Sequence, residues 1–341
     1  MQSHQKPTVA LTLGDPSGIG PELIAKLLND PECLQAANIV LIGDTWLWEQ
    51  GQRTAGLRIA TQPIASLADA RGAACGVPLF VAVDSITPEQ VKVGVAASAG
   101  GASVLKILDT CMAAVVARHI DAICFAPLNK HAMKQSGMAF EDELHHFANY
   151  LGVNGYFCEF NTLDGLWTSR VSSHVPLKEA TNYITKERVE EASRLIYNSL
   201  KAAGIEQPRV AVAALNPHAG DGGSCGREEI DIIAPAIETL HEQGYPVIGP
   251  FPADTVFLKA RDKEVDAIVT MYHDQGQIAL KLMGFDKGVT VQGGLPIPIT
   301  TPAHGTAYDI AGKNQANVQA TKNAFLIACR MGKSYLEQAT R

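Results

Sequence analysis

Three histidines stand where apolar, strand-like runs give way to polar residues. His174 closes a short run and precedes Pro176 in "RVSSHVPLKEA". His218 follows a strand in the Pro/Gly-rich "ALNPHAGDGG", and His273 ends "VDAIVTMYH". Any one of them alone reads as a packing or solvent-bonded side chain. Three in the same topological position read differently, because the strand ends of a parallel sheet converge on one crevice. Three imidazoles are also a common set for a divalent ion with positions left open for substrate. Spacing alone leaves metal binding and packing both open. Asp254 in "GPFPADTVF" and Asp274 beside His273 could orient imidazoles or move protons. Turn-forming aspartate is the competing reading in such loops.

The elements that must position these side chains alternate strand with helix. Strands are expected at "TVALTLG" from Thr8, "NIVLIGD" from Asn38, "PLFVAV" from Pro78, "DAICFAP" from Asp121 and "RVAVAALNP" from Arg209. Two more are expected at "VDAIVTMYH" and at "GVTVQGG" from Gly288. "TKERVEEASRLIYNSLKAAG" places Val189, Ala192, Ile196 and Leu200 on one helical face, opening at Thr185 and closing at Gly204. Such alternation predicts parallel sheets covered on both faces, with function in the loops beyond the carboxyl ends of the strands. The stretch from about Ser136 to Trp167 is less regular and is expected to hold an insertion or a domain junction.

Size and composition narrow the classes. The 341 residues, 46% hydrophobic and 18% charged, are those of a globular protein with one large or two medium domains. The unbroken apolar runs fall short of the roughly 18 to 20 residues of a membrane span, and "MQSHQKPTVALTLG" lacks the layout of a signal peptide. A cytoplasmic protein without a membrane partner is expected. Seven cysteines without CxxC spacing argue for reduced thiols rather than a disulfide frame or zinc ribbon. A net charge of -7 with no basic cluster argues against nucleic acid as a partner.

Glycine-rich segments add weaker signals. "LTLGDPSGIGPELIAK" matches neither GxGxxG nor a Walker lysine pattern, so its loop either offers N–H groups to an anion or makes a tight turn. "GDGGSCGREEI" enters a helix with Glu228 and Glu229 in the first turn. "TPAHGTAYDIAGK" sets His304, Thr306 and Asp309 near a glycine.

"LTLGDPSGIGPE", "LNPHAGDGG", "GREEI", "PADTVF", "YHDQG" and "HGTAYDIAGK" occur in this order over nearly the whole chain. In that order and spacing they resemble the 4-hydroxythreonine-4-phosphate dehydrogenase family. The resemblance implies an isocitrate/isopropylmalate dehydrogenase-like α/β fold of two α/β domains with a cleft between them. The first would cover residues 1–135 and 285–341, and the second, carrying much of the metal site, 136–284. It implies a homodimer with shared active sites. His174, His218 and His273 would be the metal ligands, one of them from the neighbouring subunit. The ion would be one divalent metal per site, with zinc, magnesium, manganese and cobalt all open. Asp254, Asp274 and Lys281 would serve proton transfer and carboxylate binding, and His304, Gly305, Thr306 and Asp309 would lie along NAD or NADP. A hydroxyl next to a carboxyl-bearing carbon would be oxidised, and the β-keto acid so formed would lose CO2.

Phosphate-binding members of the family carry a His-Thr pair, an arginine and an asparagine that this sequence lacks. Glu143, Leu144 and His145 occupy the first region, Ile299 the arginine position and Thr290 the asparagine position, while Lys281 remains. Losing these charge-assisted bonds disfavours a dianion. The expected substrate is therefore a cis-dihydrodiol carboxylate, such as terephthalate dihydrodiol, with Ile299, Leu144 and Phe147 against the ring and Lys281, His145 or His146 against the second carboxylate. The alternative keeps 4-hydroxythreonine-4-phosphate or another four-carbon acid phosphate. An alternative of another class is a metal-dependent hydrolase or lyase.

Overall fold

Runs in which almost every residue is apolar, rather than every second one, become strands covered on both faces. The computed structural model describes residues 6–73 and 76–339. The chain begins with β1 (Thr8–Thr12), β2 (Asn38–Gly43), the short β3 (Gln62–Ile64), β4 (Leu79–Ala82) and β5 (Ala122–Phe125). All pair in parallel, in the order β3-β4-β2-β1-β5. The helix Ser98–Val116 has the length and mean hydropathy (1.5) of a membrane span. It instead packs Val104, Ile107, Leu108 and Met112 into the core that also holds Val40, Ile123 and Phe125.

A second compact unit takes over at Gly155. It contains β6 (Cys158–Leu163), β7 (Leu166–Arg170), β8 (Val210–Ala213), β9 (Val247–Phe251) and β10 (Ala267–Thr270). β7, β10, β8 and β9 lie side by side in parallel, whereas β6 and β7 form an antiparallel hairpin. Its two-residue turn, Asp164-Gly165, has φ of +47° and +92°, the left-handed pair that tight hairpins need. The helix Lys186–Ala202 is capped by the Thr185 side chain, buries Val189, Ala192, Ile196 and Leu200 as its spacing predicts, and is followed by Gly204 at φ +98°.

From Val289 the chain returns to the first unit, apart from Gln292–Gly294. β11 (Val289–Gly293) and β12 (Ile299–Pro302) pair antiparallel, and β12 lies parallel to β5. The expectation of parallel pairing alone thus fails at β6/β7 and β11/β12, where short connections force the chain to reverse. Among the described residues the cysteines are free thiols; Cys75 lies outside them.

The first unit runs to Asn154 rather than to residue 135. The reason is the helix Glu143–Tyr150, whose Phe147 is fully buried in the first core with its ring edge-on to Phe125 at 6.0 Å. Phe147→Ala is expected to destabilise the first unit by about 3–5 kcal/mol. A thermal denaturation midpoint unchanged from wild type would contradict that packing.

Candidate functional site

β7 and β10 are parallel neighbours with Arg170 opposite Thr270, so their carboxyl ends stop at the same level. The pairing continues beyond the strands, Val171 N–H donating to Thr270 O (2.9 Å) and Ser172 N–H to Met271 O (3.1 Å). The residues that follow on each strand must then stand side by side. His174 and His273 do, with ring centres 5.6 Å apart. They line a pocket of about 410 Å³ with Ser172, Ser173, Tyr272 and Asp274. His174 has φ +48°, left-handed backbone that is uncommon outside glycine and turns its side chain out of the strand direction. Gln275 fastens the other tip: its side chain accepts from Met271 N–H (2.7 Å) and donates to Ala214 O (2.8 Å) at the end of β8.

The donor set suits a divalent ion. Two imidazole nitrogens at about 2.0–2.1 Å from one ion hold their rings roughly 5–6 Å apart. His273 Nδ1 lies 2.7 Å from Asp274 Oδ1, the carboxylate support that leaves the opposite nitrogen of a metal-binding imidazole turned outward. His218 does not line this pocket. It is exposed on the loop after β8. Asp254 is exposed in the first turn of the helix Ala253–Arg261, and Lys281 is exposed on the helix His273–Gly284.

The loop that carries His218 has an unusual path and a hidden anchor. Residues His218, Ala219, Gly220, Asp221 and Gly222 all have positive φ, from +45° to +82°. Such strain persists only where the surroundings hold it. The holder is Glu229, 3% exposed, whose Oε1 accepts Leu215 N–H (2.8 Å) and Asn216 N–H (2.7 Å), while Oε2 accepts the Asn216 amide (3.0 Å). Burial pushes the Glu229 carboxyl up, but the hydrogen bonds from Asn216 and Leu215 outweigh it and hold it below the usual glutamate value. Read as a helix-start residue, Glu229 has this second role only through contacts the local sequence does not reveal.

A group whose folded pKa is depressed contributes stability above its unfolded value and loses it as pH falls through the folded one. Acidification through that depressed folded value, below the ordinary glutamate 4.5, is therefore expected to release the His218 loop. Glu229→Ala should do so at neutral pH, at a cost of roughly 3 kcal/mol or more for two charge-assisted bonds. Faster amide exchange at Leu215 and Asn216 is the readout, and wild-type exchange in the variant would contradict the anchor.

In the first unit two glycine-containing segments clasp each other. Ile19 N–H donates to Thr306 O (3.1 Å), and the Tyr308 hydroxyl donates to Asp15 Oδ2 (2.8 Å). At Gly18 a Cβ would meet Thr306 at 3.0 Å, so any side chain there would have to push Thr306 back by a few tenths of an ångström. The N–H groups of Asp15, Ser17, Gly18 and Ile19 all have protein acceptors. These four groups are committed to holding the turn. Burial pushes the Asp15 carboxyl up, and the bonds from Tyr308 and Ser17 only partly offset it. Burial and the Asp15 carboxylate together raise the Tyr308 hydroxyl well above the usual tyrosine range. Beside this clasp, His304 Nε2 is buried with no hydrogen-bond partner among the described residues, and the space beside Gly305 is open. A polar ligand group fits there. Asp309 is exposed, and its carbonyl accepts from Lys313.

The expected seat for a carbocycle is not formed. Ile299 is wholly buried because β12 is an interior strand, between β5 and β11. Leu144 and Phe147 are buried as well, so all three serve packing. Glu143 is buried with Lys130 Nζ 3.4 Å away, and Thr290 is buried on β11. Asp142 caps its helix by accepting His145 N–H (3.0 Å) and meets His145 Nδ1 at 2.7 Å. Burial pushes the Asp142 carboxyl up, but these contacts with His145 bring it below the ordinary value.

Fold and site together define an α/β protein whose polar residues gather at the carboxyl ends of its strands. A family profile described as "Pyridoxal phosphate biosynthetic protein PdxA" matches residues 35–328. The chain belongs to the PdxA family. It is 52% identical over 335 residues, 98% of this chain and 99% of the relative, to a "Putative 4-hydroxythreonine-4-phosphate dehydrogenase 2" of Pseudomonas aeruginosa. The crystal structure of a 4-hydroxythreonine-4-phosphate dehydrogenase from Klebsiella pneumoniae superposes with a TM-score of 0.80 at 30% identity, covering 96% of this chain and 99% of that one. A terephthalate 1,2-cis-dihydrodiol dehydrogenase from Burkholderia xenovorans LB400 superposes at 0.68 and 29% identity, covering 95% and 98%.

Proposed function

We propose that this chain is a divalent-metal-dependent, NAD-linked dehydrogenase that oxidises the alcohol of a phosphorylated four-carbon hydroxy acid. The expected substrate is 4-hydroxythreonine-4-phosphate or a close analogue. The observation that carries this reading is the pairing of His174 with His273, supported by Asp274, in a chain 52% identical over nearly its full length to a relative of that name. A dihydrodiol substrate is disfavoured. Its apolar contacts, Ile299, Leu144 and Phe147, are buried in packing, and the dihydrodiol dehydrogenase superposes less well than the phosphate-substrate enzyme.

His174 and His273 would hold the ion from one wall, with His218 as a third ligand from the same chain or from a neighbouring one in a homodimer. Bound there, the ion supplies a Lewis acid for the substrate hydroxyl, and the nicotinamide supplies a hydride acceptor. Asp274 keeps the His273 ring in one orientation. Asp254 and Asp274 are the carboxylates available to take the hydroxyl proton. Lys281 is the cation assigned to the phosphate or carboxylate group, in place of the arginine whose position Ile299 occupies. His304 would meet a polar group of the cofactor through Nε2, with Gly305 leaving room beside it. Where the oxidised carbon stands β to the carboxylate, loss of CO2 follows.

Dialysis against a chelator is expected to abolish NADH formation from the phosphorylated acid, and a divalent ion should restore it. Turnover of substrate without NADH would favour a metal hydrolase or lyase. Undiminished NADH formation in a demonstrably metal-free chain would contradict the role of the ion.

A further inference from the structure

Arg170, at the end of β7, is 4% exposed, and no step of the proposed reaction uses it. Its guanidinium donates to three acceptors at once: Ser173 Oγ through Nε (2.8 Å), Asn161 Oδ1 through Nη1 (2.9 Å) and Glu159 Oε2 through Nη2 (3.3 Å). Its carbonyl accepts the Tyr156 hydroxyl (2.9 Å), and the Arg188 guanidinium lies over the Tyr156 ring. Asn161 Oδ1 also accepts from the side chain of Gln277.

Two of these partners sit next to the imidazole pair. Ser173 immediately precedes His174, the residue with φ +48°. Gln277 lies one helical turn after His273 on the helix His273–Gly284. A single network centred on the buried Arg170 therefore reaches both elements that carry the imidazoles. The planar fork of arginine suits this task, because its N–H groups are fixed relative to one another and stay charged at any working pH. Pairing with Glu159 alone would need only Nη2, whereas the bond from Nε to Ser173 fixes the turn that presents His174.

We propose that Arg170 is a positioning residue: through Ser173 on one side and Asn161 and Gln277 on the other, it sets the separation of His174 and His273 for a divalent ion. This role rests on the metal-binding reading above. Loss of residues that support a ligand from behind typically weakens metal affinity about 10- to 100-fold.

The test is Co2+ titration of the full chain, following the visible absorption of the bound ion, with circular dichroism as the check on folding. The variant E159M/R170L removes both charges together, so no unpaired charge is left buried, an exchange that proteins often tolerate. It should stay folded, bind Co2+ about 10- to 100-fold more weakly and change the shape of the absorption band. S173A, which removes only the acceptor next to His174, should shift affinity and band in the same direction by a smaller factor. A folded E159M/R170L with wild-type affinity and spectrum overturns the proposal. Should that variant not fold, S173A with wild-type affinity and spectrum overturns it instead. A wild-type chain that takes up no Co2+ contradicts the metal reading itself, and this role with it. Normal uptake by wild type and both variants contradicts only the role of Arg170.

Discussion

Alanine in place of His273 or His174 is expected to leave a folded chain that retains no stoichiometric metal and forms no measurable NADH. Both rings stand at the rim of a pocket rather than in a core: His174 is exposed, and the His273 side chain is 38% exposed. Removing the His273 ring should change stability by about 0.5 kcal/mol or less, which separates loss of metal from loss of fold. Asp274→Ala removes only the carboxylate behind His273 and should be milder, weakening metal affinity about 10- to 100-fold. His218→Ala should also lose the ion, although His218 does not line the pocket of its own chain. Since His174 and His273 belong to one pocket, the informative mixture pairs a His218→Ala chain with a His273→Ala chain. Recovered activity is the result expected if His218 reaches a neighbouring subunit's ion. No recovery after demonstrated subunit exchange would contradict a shared site. Elemental analysis is the primary check on the single variants, and a full complement of metal in either His273→Ala or His174→Ala would contradict the assignment.

The strands that continuous apolar runs announce, among them β1, β2, β5, β8 and β10, form where the sequence predicts them. The juxtaposition of His174 and His273 was legible for the same reason, because parallel neighbours end at one level. β6 is not announced, since Glu159 and Asn161 interrupt its apolar pattern and pair with a buried arginine that only the fold brings close. A local signal did exist there in Asp164-Gly165, the two-residue turn of a hairpin. The placement of Ile299 against a substrate ring failed for a different reason. Correspondence of position says which residue replaces an arginine, but not that an isoleucine on an interior strand turns to packing. The His218 loop was legible as a loop, whereas its left-handed path and its anchor on Glu229 depend on tertiary contacts.

The substrate carries the second large effect. A phosphate is a dianion that needs cations and N–H donors, and a charge-assisted hydrogen bond contributes roughly 1.5–3 kcal/mol. Two such bonds amount to a preference on the order of a hundredfold or much more over a substrate with no anionic group in the same place. Ile299 should not confer specificity for a carbocycle, since it is wholly buried. The most direct measurement compares initial rates of NADH formation by the metal-loaded chain on 4-hydroxythreonine-4-phosphate, on other phosphorylated four-carbon hydroxy acids and on terephthalate cis-dihydrodiol. The predicted result is turnover of at least one phosphorylated acid with kcat/KM about a hundredfold or more above that for the dihydrodiol. Efficient oxidation of the dihydrodiol, with no NADH from any phosphorylated acid, would contradict it.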